Sequence, residues 1–254
     1  MTPYDTQPTP TSTPNQRGFT LVELMVSILI GLFLVGGLLT LVQAMKRTSV
    51  SQSGLSQLQD NERMAMQLMT DVIQSTGYFI TPLSNTAATS FPVTGSFTYA
   101  GQALYGTTVG GSDQISVRYM TTGSDNIINC SGNTYTTGSA TFINTFSVNT
   151  ATDTLQCTLT TNGGTATTVP LISGITNLSI LYGVQTNTSV STYSVDCYLT
   201  AANVTSWQSV KSVKVSITFV NPMYGNLAGQ TTNTPQTITF TRVIDVMNNT
   251  GVIT

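Results

Sequence analysis

The chain has 254 residues, a formal net charge of −2 and 7% charged side chains, against roughly 25% in an average soluble domain. Its 40% hydrophobic content is enough for a packed core, so the scarcity of charge does not mean disorder. The absence of His excludes Ser-His-Asp triads, Cys-His dyads and the common His-based zinc sites, and eight scattered Lys and Arg residues cannot supply the basic footprint of a nucleic-acid-binding surface.

Residues 1–16 are polar, carry four Pro residues and show no apolar periodicity, so they read as a disposable or flexible segment. Arg17 and Gly18 follow, and then an apolar run from Phe19 to Val42 whose one charge is Glu23. As a helix this run spans roughly 36 Å, enough to cross a bilayer. It is too long for the apolar region of a secretory signal peptide, and nothing like an A-x-A cleavage site follows it. A carboxylate near the start of an apolar span is expensive in lipid unless paired, and so asks for a functional reason. Gly31, Gly36 and Gly37 lower helix propensity but permit close approach of a second helix.

From Gln43 the pattern becomes mixed. Leu55, Leu58, Ala65, Leu68, Met69, Val72 and Ile73 recur at spacings of three and four and predict one apolar stripe on a continuing helix. Gly77 is placed to stop it. Met64, Met66 and Met69 are expected in the core. Such a helix, from Phe19 to about Thr76, would be about 85 Å long.

Beyond Gly77 the sequence breaks into short β runs divided by Gly, Asn, Ser and Thr, and Thr alone is about a fifth of the chain, which favours strands. Alternation predicts strands over 113–121, 176–184, 212–220 and 237–246, with weaker candidates at 141–148, 154–160 and 192–199. Residues 78–112 read as a long loop with a short strand near Phe97–Tyr99. One long helix followed by an antiparallel sheet is an α+β fold, with no second globular domain.

The residues Arg17-Gly18-Phe19-Thr20-Leu21-Val22-Glu23-Leu24-Met25 resemble the class III signal of type IV prepilins and pseudopilins. Downstream, the segments NERMAMQLMTDVIQSTGYF, SDQISVRYMT, LISGITNLSILYGVQT, WQSVKSVKVSITFV and TFTRVIDVMN resemble minor pilins of the PilW type. The resemblance implies a pilin-like fold with a leader over 1–18, a membrane and filament-core helix over 19–42, its amphipathic continuation over 43–77, and a β-rich periplasmic domain over 78–254. It implies cleavage by prepilin peptidase between Gly18 and Phe19, N-methylation of Phe19, and a pairing of Glu23 with an N-terminal amine, its own or that of the preceding subunit. It also implies insertion in the inner membrane, a start-of-assembly role with other minor pilins and the major pilin, and a PilY-type tip adhesin as a partner. The alternatives are a type II secretion pseudopilin of the J type and an adhesive module presenting loops 78–112 or 222–236. The chain departs from its relatives in its long Pro/Thr-rich leader and its low charge.

No D-x-[DN]-x-[DN]-G loop, CxxC pair or catalytic carboxylate pattern stands out, so the sequence offers no metal site, no cofactor site and no enzyme site. Cys130, Cys157 and Cys197 allow three single disulfide pairings. Cys130 and Cys157 flank a Gly/Asn/Thr loop and are the expected pair, which would contribute about 3–4 kcal/mol on the chain-entropy account, leaving Cys197 as the odd thiol. Peptide mass spectrometry without reductant is expected to yield a Cys130–Cys157 linked fragment. A Cys157–Cys197 fragment would exclude that pairing.

Overall fold

A computed structural model of the chain describes residues 18–187, 194–224 and 234–247. It divides into two units, one ending at Val50 and one beginning at Ser51. Helix α1 spans Leu21–Gln74 and contributes to both.

The first unit contains the apolar half of α1. Its large side chains are open, from Phe19 at 83% exposure through Val42 at 52%. By length and composition this helix can cross a membrane, and among the described residues of the unit nothing covers it.

The second unit is a layered α+β body. Here α1 buries Leu58, Ala65, Met66, Met69, Val72 and Ile73, the stripe expected from the three- and four-residue spacing. Met64 is a correction. It is exposed, because at 100° per residue it projects well away from the stripe centred on Ala65, Met69 and Val72. Leu55 also stays exposed, and Leu68 is only partly buried. Gly54 is explained by packing: a Cβ there would lie 2.9 Å from Cβ of Pro222, so the helix and the segment after the last long central strand meet through its bare backbone. α1 ends before Gly77, whose φ of 75° is the left-handed turn expected of a residue just past a helix.

The chain then forms two antiparallel sheets where one was expected. The first has five strands in sequence order, β1 (Leu104–Val109), β2 (Ser112–Thr122), β3 (Ser139–Asn149), β4 (Thr154–Thr161) and β5 (Thr167–Ser173). The second has the order β7-β6-β8-β9, with β6 at Ile175–Val184, β7 at Cys197–Leu199, β8 at Val210–Val220 and β9 at Thr237–Asp245. Gly174, with φ 83°, is the single residue between β5 and β6. It turns the chain out of one sheet and into the next, a conformation that a residue with a Cβ adopts only at a cost.

The six strands predicted at 113–121, 141–148, 154–160, 176–184, 212–220 and 237–246 are present within a residue or two. Of the segment 192–199, residues 188–193 lie outside the described part, and the strand there is Cys197–Leu199. Two strands are additions. β5 contains Pro170, which argues against a central strand but is tolerated at this sheet edge. β1 lies inside the expected loop 78–112, where Gly106 breaks the alternation. That glycine is required because a Cβ would overlap the hydroxyl end of Tyr182, whose ring packs edge-on against Trp207 with centroids 4.9 Å apart. Near Phe97–Tyr99 there is no strand, only an isolated bridge from Thr94 to Phe97. A one-turn helix α2 (Ala87–Ser90) precedes it.

The two sheets are joined at β2 and β6. Residues Leu178 and Ile180 of β6 turn their N–H groups away from β8, and β7 is too short to reach them. Ser112 Oγ accepts the Leu178 N–H at 3.0 Å, and Asp113 Oδ2 accepts the Ile180 N–H at 2.7 Å. Asp113 Oδ1 also accepts from the Thr108 hydroxyl of β1 at 2.6 Å. Side chains of the first sheet thus stand in for a missing strand of the second. Asp113→Ala leaves the Ile180 N–H without its acceptor and is expected to lower unfolding stability by about 2 kcal/mol. Equilibrium chemical denaturation measures this, and a loss below ~0.5 kcal/mol would mean the junction stands without that bond.

Candidate assembly and processing site

The predicted functional residues Gly18, Phe19 and Glu23 lie together at the start of α1. Thr20 begins the helix: its carbonyl accepts the Leu24 N–H at 3.2 Å, and its hydroxyl accepts the Glu23 N–H at 3.3 Å. Thr20 and Glu23 stand in the relation of an N-cap and the third helical residue, the S/T-x-x-E pattern of a capping box. The Thr20 half of that box is formed, and the Glu23 side chain is exposed. As the acidic residue of the first turn, it is favoured by the positive end of the helix dipole. The peptide bond between Gly18 and Phe19 lies one residue before the cap, in exposed, non-helical chain, where a peptidase can reach it. An amine created at Phe19 would stand about one helical turn from Glu23.

The rest of the apolar helix is prepared for close packing. Cβ atoms built at Gly31, Gly36 and Gly37 meet nothing within 4 Å, so each glycine is an open notch on the helix flank. The few hydroxyls turn inward on their own helix: Ser27 donates to the Glu23 carbonyl at 2.7 Å and Thr40 to the Gly37 carbonyl at 2.8 Å. These bonds satisfy them without water.

In the second unit, Cys130 and Cys157 are joined in a disulfide with Cα atoms 5.8 Å apart. The bond ties the loop between β2 and β3 to the middle of β4. The same loop is held at its start by Asp125, whose carboxylate accepts from the Thr121 hydroxyl at 2.6 Å and from the N–H groups of Thr122 at 2.7 Å and Ile127 at 3.2 Å. Cys197 is a free thiol at intermediate exposure. Groups of three or more metal-ligating side chains do not occur among the described residues.

Sequence reasoning missed Arg118. It sits on the face of β2 away from the helix and is 1% exposed. Its guanidinium donates to the carbonyls of Gln102, Pro92 (2.7 Å) and Phe91 (3.1 Å) and lies over the Phe97 ring at 4.4 Å. Burial lowers its pKa to about 10 against the opposing pull of nearby Tyr99, so it remains a cation at neutral pH. It fastens the segment 91–102 over the sheet. The only sequence clue was a cation inside the alternating run 113–121.

Two family matches follow from these elements. Residues 141–249 match the family described as "Type IV Pilus-assembly protein W", and residues 13–39 match the "Prokaryotic N-terminal methylation motif". Among solved structures, the chain is similar to a type IV-like pilin from Thermus thermophilus, with 9% identity, 75% of this chain and 97% of that chain covered, and a TM-score of 0.41. No curated protein matches. Together the two family matches, over residues 141–249 and 13–39, indicate a type IV pilus minor pilin with a prepilin methylation motif. Such proteins are structural components that interact with other pilus subunits and undergo prepilin processing. The apolar N-terminal helix suits anchoring in a membrane and assembly into a pilus.

The Asp125 clamp makes a pH prediction. Burial would raise this carboxyl, but the bonds from Thr121, Thr122 and Ile127 outweigh it and hold the group below its ordinary 3.8. A carboxyl lowered in the folded state stabilises above its unfolded pKa and loses that contribution as pH falls through the folded value. Asp125→Asn is therefore expected to flatten the stability curve below about pH 4 relative to the unmodified chain. Parallel curves in that window, from thermal melts across pH, would remove the clamp's electrostatic role.

Proposed function

We propose that this protein is made with a leader over residues 1–18, cut between Gly18 and Phe19 by prepilin peptidase, and methylated at Phe19. Residues 19–42 then hold it in the inner membrane, 43–77 continue the helix, and 78–254 form a periplasmic domain. From there it enters the pilus, where it works by packing rather than by catalysis. It takes part in the start of assembly together with other minor pilins, the major pilin and a PilY-type tip adhesin.

The observation that carries this reading is the uncovered apolar helix with one carboxylate in its first turn. An unpaired charge in an apolar bundle costs several kcal/mol, and cleavage places a cationic amine about one turn away from Glu23. The pair neutralises both, and when the amine belongs to a neighbouring subunit it also sets the stagger between the two. The Cys130–Cys157 disulfide supports the periplasmic orientation, because such bonds persist in oxidising compartments. The match of residues 141–249 favours a pilus over a secretion system.

Two measurements test it. N-terminal analysis of the mature chain is expected to find N-methyl-Phe19 in cells with prepilin peptidase and the uncut leader in cells without it. The same N-terminus in both backgrounds would overturn the processing. Glu23→Ala is expected to insert in the membrane normally but to be depleted from sheared pili, and full incorporation would remove the charge pair.

A further inference from the structure

Met64 is 59% exposed, but it does not stand alone. It lies in a shallow groove between α1 and the loop joining β2 to β3, beside the partly buried Leu68 and across from Leu171 of β5. The floor is apolar, and Asp60, Arg63 and Asp71 line the rim. The groove continues toward the end of α1, where Ile127 of the loop forms its wall and Met247 lines it from the end of β9. Asp71 borders both parts, which makes them one trough along the helix flank. Its wall is preformed. The loop is held by the Cys130–Cys157 disulfide, by Asp125, and by the Tyr119 hydroxyl, which donates to the Ile128 carbonyl at 2.5 Å.

Met247 is also the last residue that the structure describes, so the chain leaves the described body inside this groove. The sequence goes on with NNTGVIT, residues 248–254. Asn, Thr and Gly are residue types that suit a reversal of the chain, and Val252 and Ile253 are apolar. None of the seven side chains is charged, so they meet a rim of two acids and one Arg without like-charge contact. β9 runs beside α1 in the same direction, with Arg242 bonded to Thr70 and Met247 near Gln74. A reversal after Met247 therefore sends the chain back along the helix toward Met64. The way from Asp71 to Met64 is about 10 Å of helix, and five residues from Met247 to Val252 span up to about 17 Å.

We propose that this groove is the seat of the chain's own residues 248–254, with Val252 and Ile253 laid over Met64, Leu68 and Leu171. Tethering decides between this occupant and a separate chain. A segment joined to the groove at Met247 is present there at an effective concentration of about millimolar, which a free partner has to exceed. The contact removes apolar surface of both the groove and the segment from water. It ties the end of β9 to the outer flank of α1, on the side of the helix that the sheets leave uncovered. The proposal rests on neither leader cleavage nor membrane anchoring.

Cysteine trapping on the full-length chain tests the seat. In a Cys197→Ser background, Met64→Cys combined with Val252→Cys brings two thiols within disulfide reach. Mild oxidation is expected to link the two peptides inside a species of single chain mass. Met64 is exposed, so its replacement leaves the core intact. Glu62→Cys combined with Val252→Cys is expected not to link, because a step of two residues turns about 200° around the helix. A second readout needs no crosslink. The thiol of Met64→Cys alone is expected to react with a maleimide several-fold faster once residues 250–254 are deleted. Absence of the 64–252 link, or equal linkage from Glu62→Cys, would overturn the proposal. So would linkage only at twice the chain mass, which would make the occupant a second copy, or a maleimide rate unchanged by the deletion, which would leave the groove open or covered by another molecule. If the shortened chain does not fold, the linkage pair decides alone. Neither result bears on the N-terminal analysis, so this reading and the processing reading stand or fall separately.

Discussion

Two backbone N–H groups, those of Leu178 and Ile180, have no strand to bond, and the second unit is organised around satisfying them. Buried amides without partners cost about 1–3 kcal/mol each. Ser112 and Asp113 supply the acceptors from the neighbouring sheet, and that contact fixes where β2 lies against β6. With β2 placed, Gly77 N–H donates to the Arg118 carbonyl and Met120 N–H to the Tyr78 carbonyl. The end of α1 is thereby attached to the same strand, and the apolar stripe of the helix finds its core.

This arrangement makes sense of the low charge count. Three acids of the globular unit hold backbone in place. Asp113 accepts from Ile180, Asp125 from Thr122 and Ile127, and Asp196 from Thr186 and Asn187. Arg118 does the converse, donating to three carbonyls. On outer sheet faces, hydroxyl pairs take the place of charged side chains, as in Ser116–Thr145, Thr158–Thr168, Ser216–Thr241 and Thr218–Thr239. Each pair links adjacent strands, a use of Thr that also suits its β-branched preference for the pleated backbone. Glu23 stands apart from the other acids. Its side chain is exposed at the start of the apolar half of α1, whose large side chains are exposed among the described residues.

Most of the secondary structure was legible in the sequence because it rests on local periodicity. The helix reads from Phe19 onward by its apolar run and then by its three-and-four spacing, and β8 reads by strict alternation of Val213, Val215, Ile217 and Phe219. What stayed hidden depends on distant partners. β1 is masked by Gly106, whose reason is the ring of Tyr182, more than seventy positions away in the chain. β5 is masked by Pro170, which is harmless only because β5 is an edge. Met64 looked like core because it sits among buried methionines, yet one step of 100° on the helix turns it outward.

The site divides in the same way. Glycine, phenylalanine and glutamate at fixed spacing before an apolar span are a local pattern, and a peptidase and a membrane read such patterns locally. The sequence by itself therefore determined the N-terminal methylation motif, a helix long and apolar enough to cross a membrane, and the minor-pilin match. The tertiary structure alone decided that there are two sheets rather than one, that Ser112 and Asp113 join them, and that Arg118 is buried. Strand order and burial are set by contacts between residues far apart in the chain, and those contacts leave no periodic trace in the residues that make them.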